Sequence, residues 1–274
     1  MQLPAGLADV DLMCFDVDGT LAAADHHPTP RTLRALKALV ATGVRVVVIT
    51  GRALPQAQSV FAEAGIEGHS IAANGAIIAQ GPDGPELRRT TLTAREVDAV
   101  LDFVADKELE AVLFTKDAHL VKHGSVIAAL FREINPDVPT IEVDLAEAPR
   151  DEILKASITS WEHVLDALLP QIKEAFPRTV RSMSTIVDLA PEGADKGPSL
   201  LALLDDLGVD PARVTGVGDS ENDLSWLAAI GHPVAVSNAV QAVKDLAVLE
   251  IGHHDEEAVA ELIEAVVAAR NSAS

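Results

Sequence analysis

The chain has 274 residues, enough for one large domain or two modest ones, and its 48% hydrophobic and 23% charged residues are ordinary for a folded soluble protein. Its formal net charge is −21, so nucleic acids and anionic membrane surfaces, which carry the same sign of charge, are not expected as partners. Cys14 is the only cysteine, which excludes an intrachain disulfide bond.

The first predicted element is a buried strand over the apolar run Val10 to Phe15, and two acids, Asp16 and Asp18, follow it. The carboxyl end of a strand is where an open α/β sheet binds its ligands. A carboxylate there can attack phosphorus to form an aspartyl-phosphate, and it can also hold a hard divalent cation. The two acids therefore predict a nucleophile and a metal ligand, unless they only form a polar turn that closes the strand.

Two β-α-β units follow from the apolar periodicity. It predicts a helix over Thr32 to Ala41, a strand over Val44 to Ile49, a helix over Pro55 to Ala64 and a short strand over Ser70 to Ala73. This alternation is typical of a parallel, doubly wound sheet. The second strand ends at Thr50 and Gly51, whose hydroxyl and backbone N–H can hold phosphate oxygens, although a turn without a ligand is the simpler interpretation.

The middle of the chain, from about Gly84 to Met183, has a different rhythm. Helices are predicted over 93–107, 125–134 and 161–175, and strands over 110–115, 119–123, 153–159 and 179–182. This order predicts an α+β unit with a largely antiparallel sheet and with its helices on one face. The cluster from Gly81 to Pro85 is a natural linker into it.

The α/β alternation then resumes. A helix is predicted over Pro198 to Leu207, a strand over Val214 to Val217 and an amphipathic C-terminal helix over Glu256 to Arg270. Lys196, just before the first of these helices, can neutralise a phosphate or be a solvated surface lysine. Asp219, Asn222 and Asp223 follow the strand, and their oxygen atoms suit a Mg²⁺ site or the acidic start of the next helix.

Four polar groups have now been named: Asp16 with Asp18, Thr50 with Gly51, Lys196, and the run from Asp219 to Asp223. Each of them alone is a weak to moderate signal. Strand ends in a doubly wound sheet converge on one crevice, however, and all four groups are tied to that sheet. Together they predict one site that combines a carboxylate nucleophile, a phosphate cradle, a lysine and a metal.

These residues resemble the four motifs of the haloacid dehalogenase superfamily of phosphohydrolases and, more narrowly, its Cof-type sugar-phosphatase branch. The matching runs are DVDGT at 16–20, ITGR at 49–52, the lysine at 196 and GDSEND at 218–223. The resemblance covers the whole chain and implies an α/β fold, with a doubly wound, mostly parallel Rossmann-like core sheet and an inserted α+β cap domain. It assigns residues 1–82 and 188–274 to the catalytic core and 83–187 to the substrate-specificity cap.

The resemblance also implies roles for individual residues. Asp16 would attack phosphorus, and Asp18 would protonate the leaving alcohol and then activate water. Phosphate binding falls to Thr50, Gly51 and Lys196, substrate binding to Arg52 and Asn74, and Mg²⁺ to Asp16, Asp18 through its backbone carbonyl, Asp219, Asn222 and Asp223. In the cap, the candidate substrate contacts, each with a solvated surface group as the alternative, are Lys116, His119, Lys122 and His123.

The branch usually carries a Met-Gly-Asn-Ala run where this chain has Val236-Ser237-Asn238-Ala239. We expect this departure to change a loop at the rim of the site without loss of chemistry.

The predicted function is Mg²⁺-dependent hydrolysis of a phosphomonoester of a small metabolite, with a sugar phosphate favoured. One alternative is a phosphatase dedicated to an osmolyte precursor of the mannosyl-3-phosphoglycerate or sucrose-phosphate type, and another is a phosphomutase relative. A third, from a different class, is a non-catalytic protein that binds phosphate or metal for regulation. No signal peptide or membrane span is visible, which predicts a cytoplasmic protein. The expected partner is a small phosphorylated metabolite, with no nucleic-acid or membrane partner, and the expected state is a monomer or homodimer.

Overall fold

The computed structural model describes residues 3–23 and 27–273, and within them the strands form two sheets. The strands are β1 Leu12–Phe15, β2 Arg45–Ile49, β3 His69–Ala72, β4 Ile77–Gln80, β5 Glu86–Arg89, β6 Glu110–Phe114, β7 His119–Lys122, β8 Thr140–Val143, β9 Lys155–Thr159, β10 Val180–Met183, β11 Ile186–Leu189, β12 Val214–Gly218, β13 His232–Val236 and β14 Leu249–Ile251. The α-helices are α1 Pro30–Ala41, α2 Leu54–Ala64, α3 Ala94–Ala105, α4 Ala128–Ile134, α5 Glu162–Ala175, α6 Lys196–Leu207, α7 Leu224–Leu227, α8 Gln241–Leu246 and α9 Ala258–Ala273.

The larger sheet has the strand order β14-β13-β12-β1-β2-β3-β4-β5. Its strands are parallel from β14 to β3, and β4 pairs with β3 in the antiparallel sense. β1 lies inside the sheet and all of its residues are buried, as expected for a parallel strand covered on both faces. The predicted doubly wound, mostly parallel core sheet is confirmed, and the loops after β1, β2 and β12 leave from the same edge.

The smaller sheet has the order β10-β11-β9-β6-β7-β8 and is antiparallel except between β7 and β8. Side chains alternate along β6, so that Leu113 packs on one face with residues of α3 and α5. Val112 and Phe114 pack on the other face against Phe131 of α4. The prediction that the helices lie on one face is therefore wrong for α4.

The described chain divides into two compact units. One lies within Met1–Arg52, Ala57–Arg88 and Asp195–Ser274, and the other comprises Ala53–Gln56 and Arg89–Ala194. β5 belongs to the larger sheet and β11 to the smaller one, so the main divisions fall later in the chain than residues 82 and 187. The roles of catalytic core and specificity cap stay predictions.

His119, a candidate substrate contact with a solvated surface group as the alternative, lies in the interior of the second unit. Only 1% of its surface is exposed. Its ring centroid is 4.6 Å from that of Phe114 and 5.4 Å from that of Phe131. Among the described residues neither of its ring nitrogens has a hydrogen-bond partner. Burial, together with the positive charge of Lys155, lowers the pKa of His119 to about 4.

Acidification should therefore cost stability through His119. The unfolded chain, in which histidine titrates near pH 6.5, binds this proton more readily than the folded chain does. The free energy of unfolding should fall by about 2 kcal/mol between about pH 7 and about pH 5 through this group alone, as urea titrations at the two pH values would measure. His119→Leu should lose that part of the pH dependence, whereas His163→Leu, at an exposed position on α5, should keep it. Equal pH dependence in both variants would contradict the assignment.

Candidate active site

The loop that follows β1 is closed onto the loop that follows β12. Asp16 is 4% exposed, and its backbone N–H donates to the Val217 carbonyl at 3.0 Å. Gly19 has φ +75°, and a Cβ there would lie 2.7 Å from the Asp219 carboxylate, so the turn requires glycine for both conformation and space. The Thr20 hydroxyl donates to the Asp219 carboxylate at 3.0 Å. No sequence signal marks Thr20 for this role, since a threonine that follows glycine is an ordinary turn residue.

Lys196 is a buried lysine and not the solvated surface residue that its position also allowed. It is the first residue of α6 and is 2% exposed. Its Nζ lies 2.7 Å from Asp16 Oδ1, 2.7 Å from Asp223 Oδ1 and 3.1 Å from Asn222 Oδ1. The lysine thus joins the acid after β1 to the residues after β12.

Asp223 is fully buried and accepts hydrogen bonds from several donors. Its Oδ2 accepts the backbone N–H groups of Asp219 and Ser220 at 3.0 and 3.1 Å, and its Oδ1 accepts the indole N–H of Trp226 at 3.0 Å as well as Lys196. Asp223 therefore holds the 219–223 loop in shape and fixes the lysine. No sequence motif indicated the role of Trp226.

The cluster carries more negative than positive charge. One carboxylate oxygen from each of Asp16, Asp219 and Asp223 lies within 4.8 Å of the others, and Lys196 contacts two of these acids. Burial and then Asp223 raise the pKa of Asp219 to about 6, and the same two causes raise the pKa of Asp16 against the opposing effect of Lys196. Burial works to lower the pKa of the Lys196 ammonium, but Asp16 and Asp223 outweigh it and raise that pKa. The donors are oxygens and the excess charge is negative, which fits a hard divalent cation.

The loop after β2 forms a compact turn beside Asn74. The Thr50 hydroxyl oxygen accepts the Arg52 N–H at 3.1 Å, and the Asn74 N–H donates to the Thr50 carbonyl at 3.1 Å. Asn74 adopts the left-handed region at φ +57°, and a Cβ on Gly51 would lie 2.8 Å from its Oδ1. Among the described residues this buried Oδ1 has no hydrogen-bond partner. Thr50, Gly51 and Asn74 therefore lie together in the structure.

Arg52 contacts Asp18, a pairing that no sequence pattern predicts. Its Nε and Nη2 donate to the two Asp18 carboxylate oxygens at 2.9 and 2.5 Å. The Asp18 side chain is 53% exposed, whereas Asp16, two residues earlier, is buried. The two acids, which are two residues apart in the sequence, therefore occupy different environments and are suited to different chemistry.

The turn at Asn74-Gly75 packs against the start of α6, which carries Lys196. The Ser199 hydroxyl donates to the Gly75 carbonyl at 2.9 Å. Gly75 has φ +96°, and a Cβ there would lie 2.5 Å from the carbonyl oxygen of Asp195. Gly75 thus sets the distance between this turn and the helix.

Gly75→Ala should lower the free energy of unfolding by about 3 kcal/mol and reduce turnover, because it combines an unfavourable φ with a collision against backbone. Gly43→Ala is a matched control, since Gly43 has φ +87° but nothing within 4 Å of its Cβ position, and it should cost about 1 kcal/mol. Denaturant titrations of both variants would measure the difference. Equal losses would show that the packing against α6 contributes nothing.

Comparison with known proteins identifies the family. The sequence model of the haloacid dehalogenase-like hydrolase family matches residues 13–263. The chain belongs to this family. It is 29% identical over 268 residues to HMP-PP phosphatase of Serratia proteamaculans, covering 92% of this chain and 94% of that protein. It is 27% identical over 280 residues to phosphatase YwpJ of Bacillus subtilis, covering 92% of this chain and 98% of that one.

The fold agrees with the family. A haloacid dehalogenase-like hydrolase from Bacteroides thetaiotaomicron superposes with a TM-score of 0.87 at 23% identity, covering 94% of this chain and 99% of that one. The predicted resemblance, the fold class and the enzyme class, a hydrolase of the phosphatase type, are confirmed.

Hydrolases of this family generally use a divalent metal. Among the described residues, no helix combines the length and the apolar character that crossing a membrane requires.

Proposed function

We propose that the protein is a Mg²⁺-dependent phosphatase that hydrolyses a phosphomonoester of a small metabolite, with a sugar phosphate favoured, through an aspartyl-phosphate on Asp16. The observation that carries the proposal is the buried Asp16 at the end of β1, hydrogen-bonded to Lys196 and clustered with Asp219 and Asp223. A carboxylate is a competent nucleophile toward phosphorus, and phosphoryl transfer depends mainly on positioning and on neutralising charge.

The residues that would hold the metal are Asp16, Asp219 and the backbone carbonyl of Asp18, whose carboxylate is engaged by Arg52. Asp223 and Asn222 would support this site from outside, because their side-chain oxygens are bonded to Lys196. When bound, the cation would supply positive charge for the nucleophile and the phosphoryl oxygens. The excess of carboxylates over ammonium groups in the cluster supports this assignment.

In the first step a carboxylate oxygen of Asp16 would form a bond to phosphorus while the bond from phosphorus to the leaving oxygen breaks. Asp18, which must be protonated for this step and therefore released from its ion pair with Arg52, would donate its proton to that oxygen, so that an alcohol leaves. The Thr50 hydroxyl, the Gly51 N–H and the Lys196 ammonium would hold the phosphoryl oxygens. The burial of Lys196 supports its role, since a desolvated ammonium acts strongly on nearby charge.

In the second step water would attack the phosphorus of the aspartyl-phosphate, and Asp18 would take the proton that the water loses. Inorganic phosphate would leave and Asp16 would return to its free form. Arg52 would hold the Asp18 carboxylate through its two hydrogen bonds in this second step, in which Asp18 accepts a proton. Direct contact of Arg52 and Asn74 with the substrate stays a prediction. The buried Oδ1 of Asn74, which has no hydrogen-bond partner among the described residues, supports it for that residue.

The test is phosphate release from a panel of phosphorylated metabolites with and without Mg²⁺. The panel should include common sugar phosphates, mannosyl-3-phosphoglycerate, sucrose phosphate and, because of the relative at 29% identity, HMP-PP. We expect metal-dependent release from a few of these compounds. Acid-quenched turnover followed by peptide mass spectrometry should find phosphate on Asp16.

Three results would overturn parts of the proposal. Release without phosphate on Asp16 would exclude the covalent route. Transfer of phosphate between positions of a sugar without release would indicate a phosphomutase. Calorimetric binding of Mg²⁺ and inorganic phosphate with no turnover of any compound would favour a non-catalytic protein.

A further inference from the structure

The side chain of Asn238 connects the loop after β1 with a segment near the C-terminus. Its Nδ2 donates to the Gly19 carbonyl at 2.8 Å, and its Oδ1 accepts the backbone N–H of His254 at 3.2 Å. A carbonyl requires a donor and an N–H requires an acceptor, so the two partners fix the orientation of the amide. Both hydrogen-bonding groups of Asn238 are therefore used.

His254 holds the same loop at a second point. Its Nδ1 lies 2.9 Å from the Ala22 carbonyl, which accepts only if Nδ1 carries the proton. The side chain is 15% exposed, so this hydrogen bond is largely shielded from water. Asn238 and His254 together hold the backbone carbonyls of Gly19 and Ala22. These two residues are the first and last of the segment 19–22, which follows Asp18 in the loop.

This loop carries much of the candidate chemistry. Its own hydrogen bonds run from Leu21 N–H to the Asp16 carbonyl at 3.3 Å and from Ala22 N–H to the Val17 carbonyl at 2.9 Å. Its Gly19 lies against the Asp219 carboxylate, as described above. A shift of the Gly19 or Ala22 carbonyl would therefore move the backbone that follows Asp18 and change the packing on Asp219.

We propose that Asn238 and His254 are positioning residues that hold the 16–22 loop in the geometry required for turnover. The inference rests on the proposed function, because it takes this loop as the carrier of the nucleophile and of the acid–base group. Neither residue needs to touch substrate. Each acts through a backbone carbonyl, and a displacement of a reacting group by about 1 Å can reduce turnover by about 100-fold.

The chain allows variants that separate positioning from general loss of packing. Asn238→Ala removes both hydrogen bonds, while Asn238→Asp keeps the acceptor for His254 N–H and turns an oxygen toward the Gly19 carbonyl in place of the donor. His254→Ala removes the bond to Ala22. His254→Asn keeps an N–H close to the position of Nδ1 and should restore it. Gln241→Ala is the control, since it removes an exposed hydrogen bond to Asp245 on nearby α8.

The first readout needs no substrate. Amide hydrogen exchange of Leu21 and Ala22 should become about tenfold faster in Asn238→Ala, Asn238→Asp and His254→Ala, and exchange in β2 should stay at the wild-type rate. His254→Asn and Gln241→Ala should both resemble the wild type. The second readout is turnover on the best panel compound, where the first three variants should lose about tenfold or more in kcat with KM changed less than about twofold.

Exchange and kcat in Asn238→Ala and His254→Ala that match Gln241→Ala would overturn the proposal. A loss in His254→Asn as large as in His254→Ala would overturn the role of the Nδ1 hydrogen bond. Faster exchange in β2 as well as in the loop would indicate a global loss of structure and would contradict a positioning role. If the wild type turns over nothing, the proposed function fails, while the exchange rates still decide whether these two residues hold the loop.

Discussion

Replacing Asp16 with asparagine should lower phosphate release by at least about 10³-fold while leaving the folded chain as stable as the wild type or more stable. The activity is lost because an amide does not attack phosphorus. Stability is kept because the amide introduced by Asp16→Asn would still offer an oxygen to Lys196. The charge that the substitution removes is one that burial and Asp223 disfavour, as the raised pKa of Asp16 indicates. The free energy of unfolding at neutral pH and without divalent cation should therefore rise or stay unchanged.

The direction of the stability change identifies its cause. The folded-state pKa of Asp16 is raised, so ionisation is harder in the folded chain, and the advantage of the variant should grow as the pH rises. Denaturant titrations at neutral and mildly acidic pH, next to the phosphate assay, would measure it. Asp117→Asn, at a side chain that is 71% exposed, is the matched control and should change neither quantity. Full activity in Asp16→Asn would place the nucleophile elsewhere.

The sequence predicted those parts of the fold that follow from local pattern. The buried β1, β2 and β12 are continuous apolar runs, and the polar residues after them stand at one sheet edge by the geometry of parallel strands. β5 was not predicted, because all four of its residues are exposed and give no alternation. β8 was missed because its burial pattern has no buried face.

The sequence predicts which residues belong to the site better than it predicts which of them contact one another. Lys196 was predicted to face phosphate, but its burial depends on Asp16, 180 residues away in the chain, and on Asp223. The pair between Arg52 and Asp18 and the hydrogen bonds of Asn238 depend on side-chain conformations in loops that meet only after folding. Periodicity predicts which face of an element is buried and does not predict which carbonyl an amide will reach.

Replacing Lys196 with methionine should have the opposite effect on stability to Asp16→Asn, although both should abolish activity. Methionine has a similar volume, so the main change is the loss of the ammonium that contacts Asp16 and Asp223 at 2.7 Å. Without divalent cation, the buried carboxylates would lack their compensating charge, and the free energy of unfolding should fall by about 3–5 kcal/mol. Phosphate release should fall by at least about 10³-fold, because the phosphoryl oxygens would lose the cation that we propose holds them.

Three further measurements connect this loss to charge. The carboxylates of Lys196→Met would bind protons more tightly when folded than when unfolded, so the deficit should be larger at mildly alkaline than at mildly acidic pH. Mg²⁺ should restore part of the stability, because it would bind the folded cluster and supply the missing positive charge. Adding Asp16→Asn to Lys196→Met should also restore part of it, whereas Lys37→Met, on the exposed side of α1, should leave the stability unchanged.

The two substitutions in combination distinguish charge from packing. If Lys196 only filled space or donated ordinary hydrogen bonds, both substitutions would destabilise the protein, the losses would not depend on pH, and Mg²⁺ would not reverse them. An excess of buried negative charge instead requires opposite signs for Asp16→Asn and Lys196→Met. The same excess is what a divalent cation would balance, so these stability measurements examine the electrostatic basis of the proposed metal site without any assay of turnover.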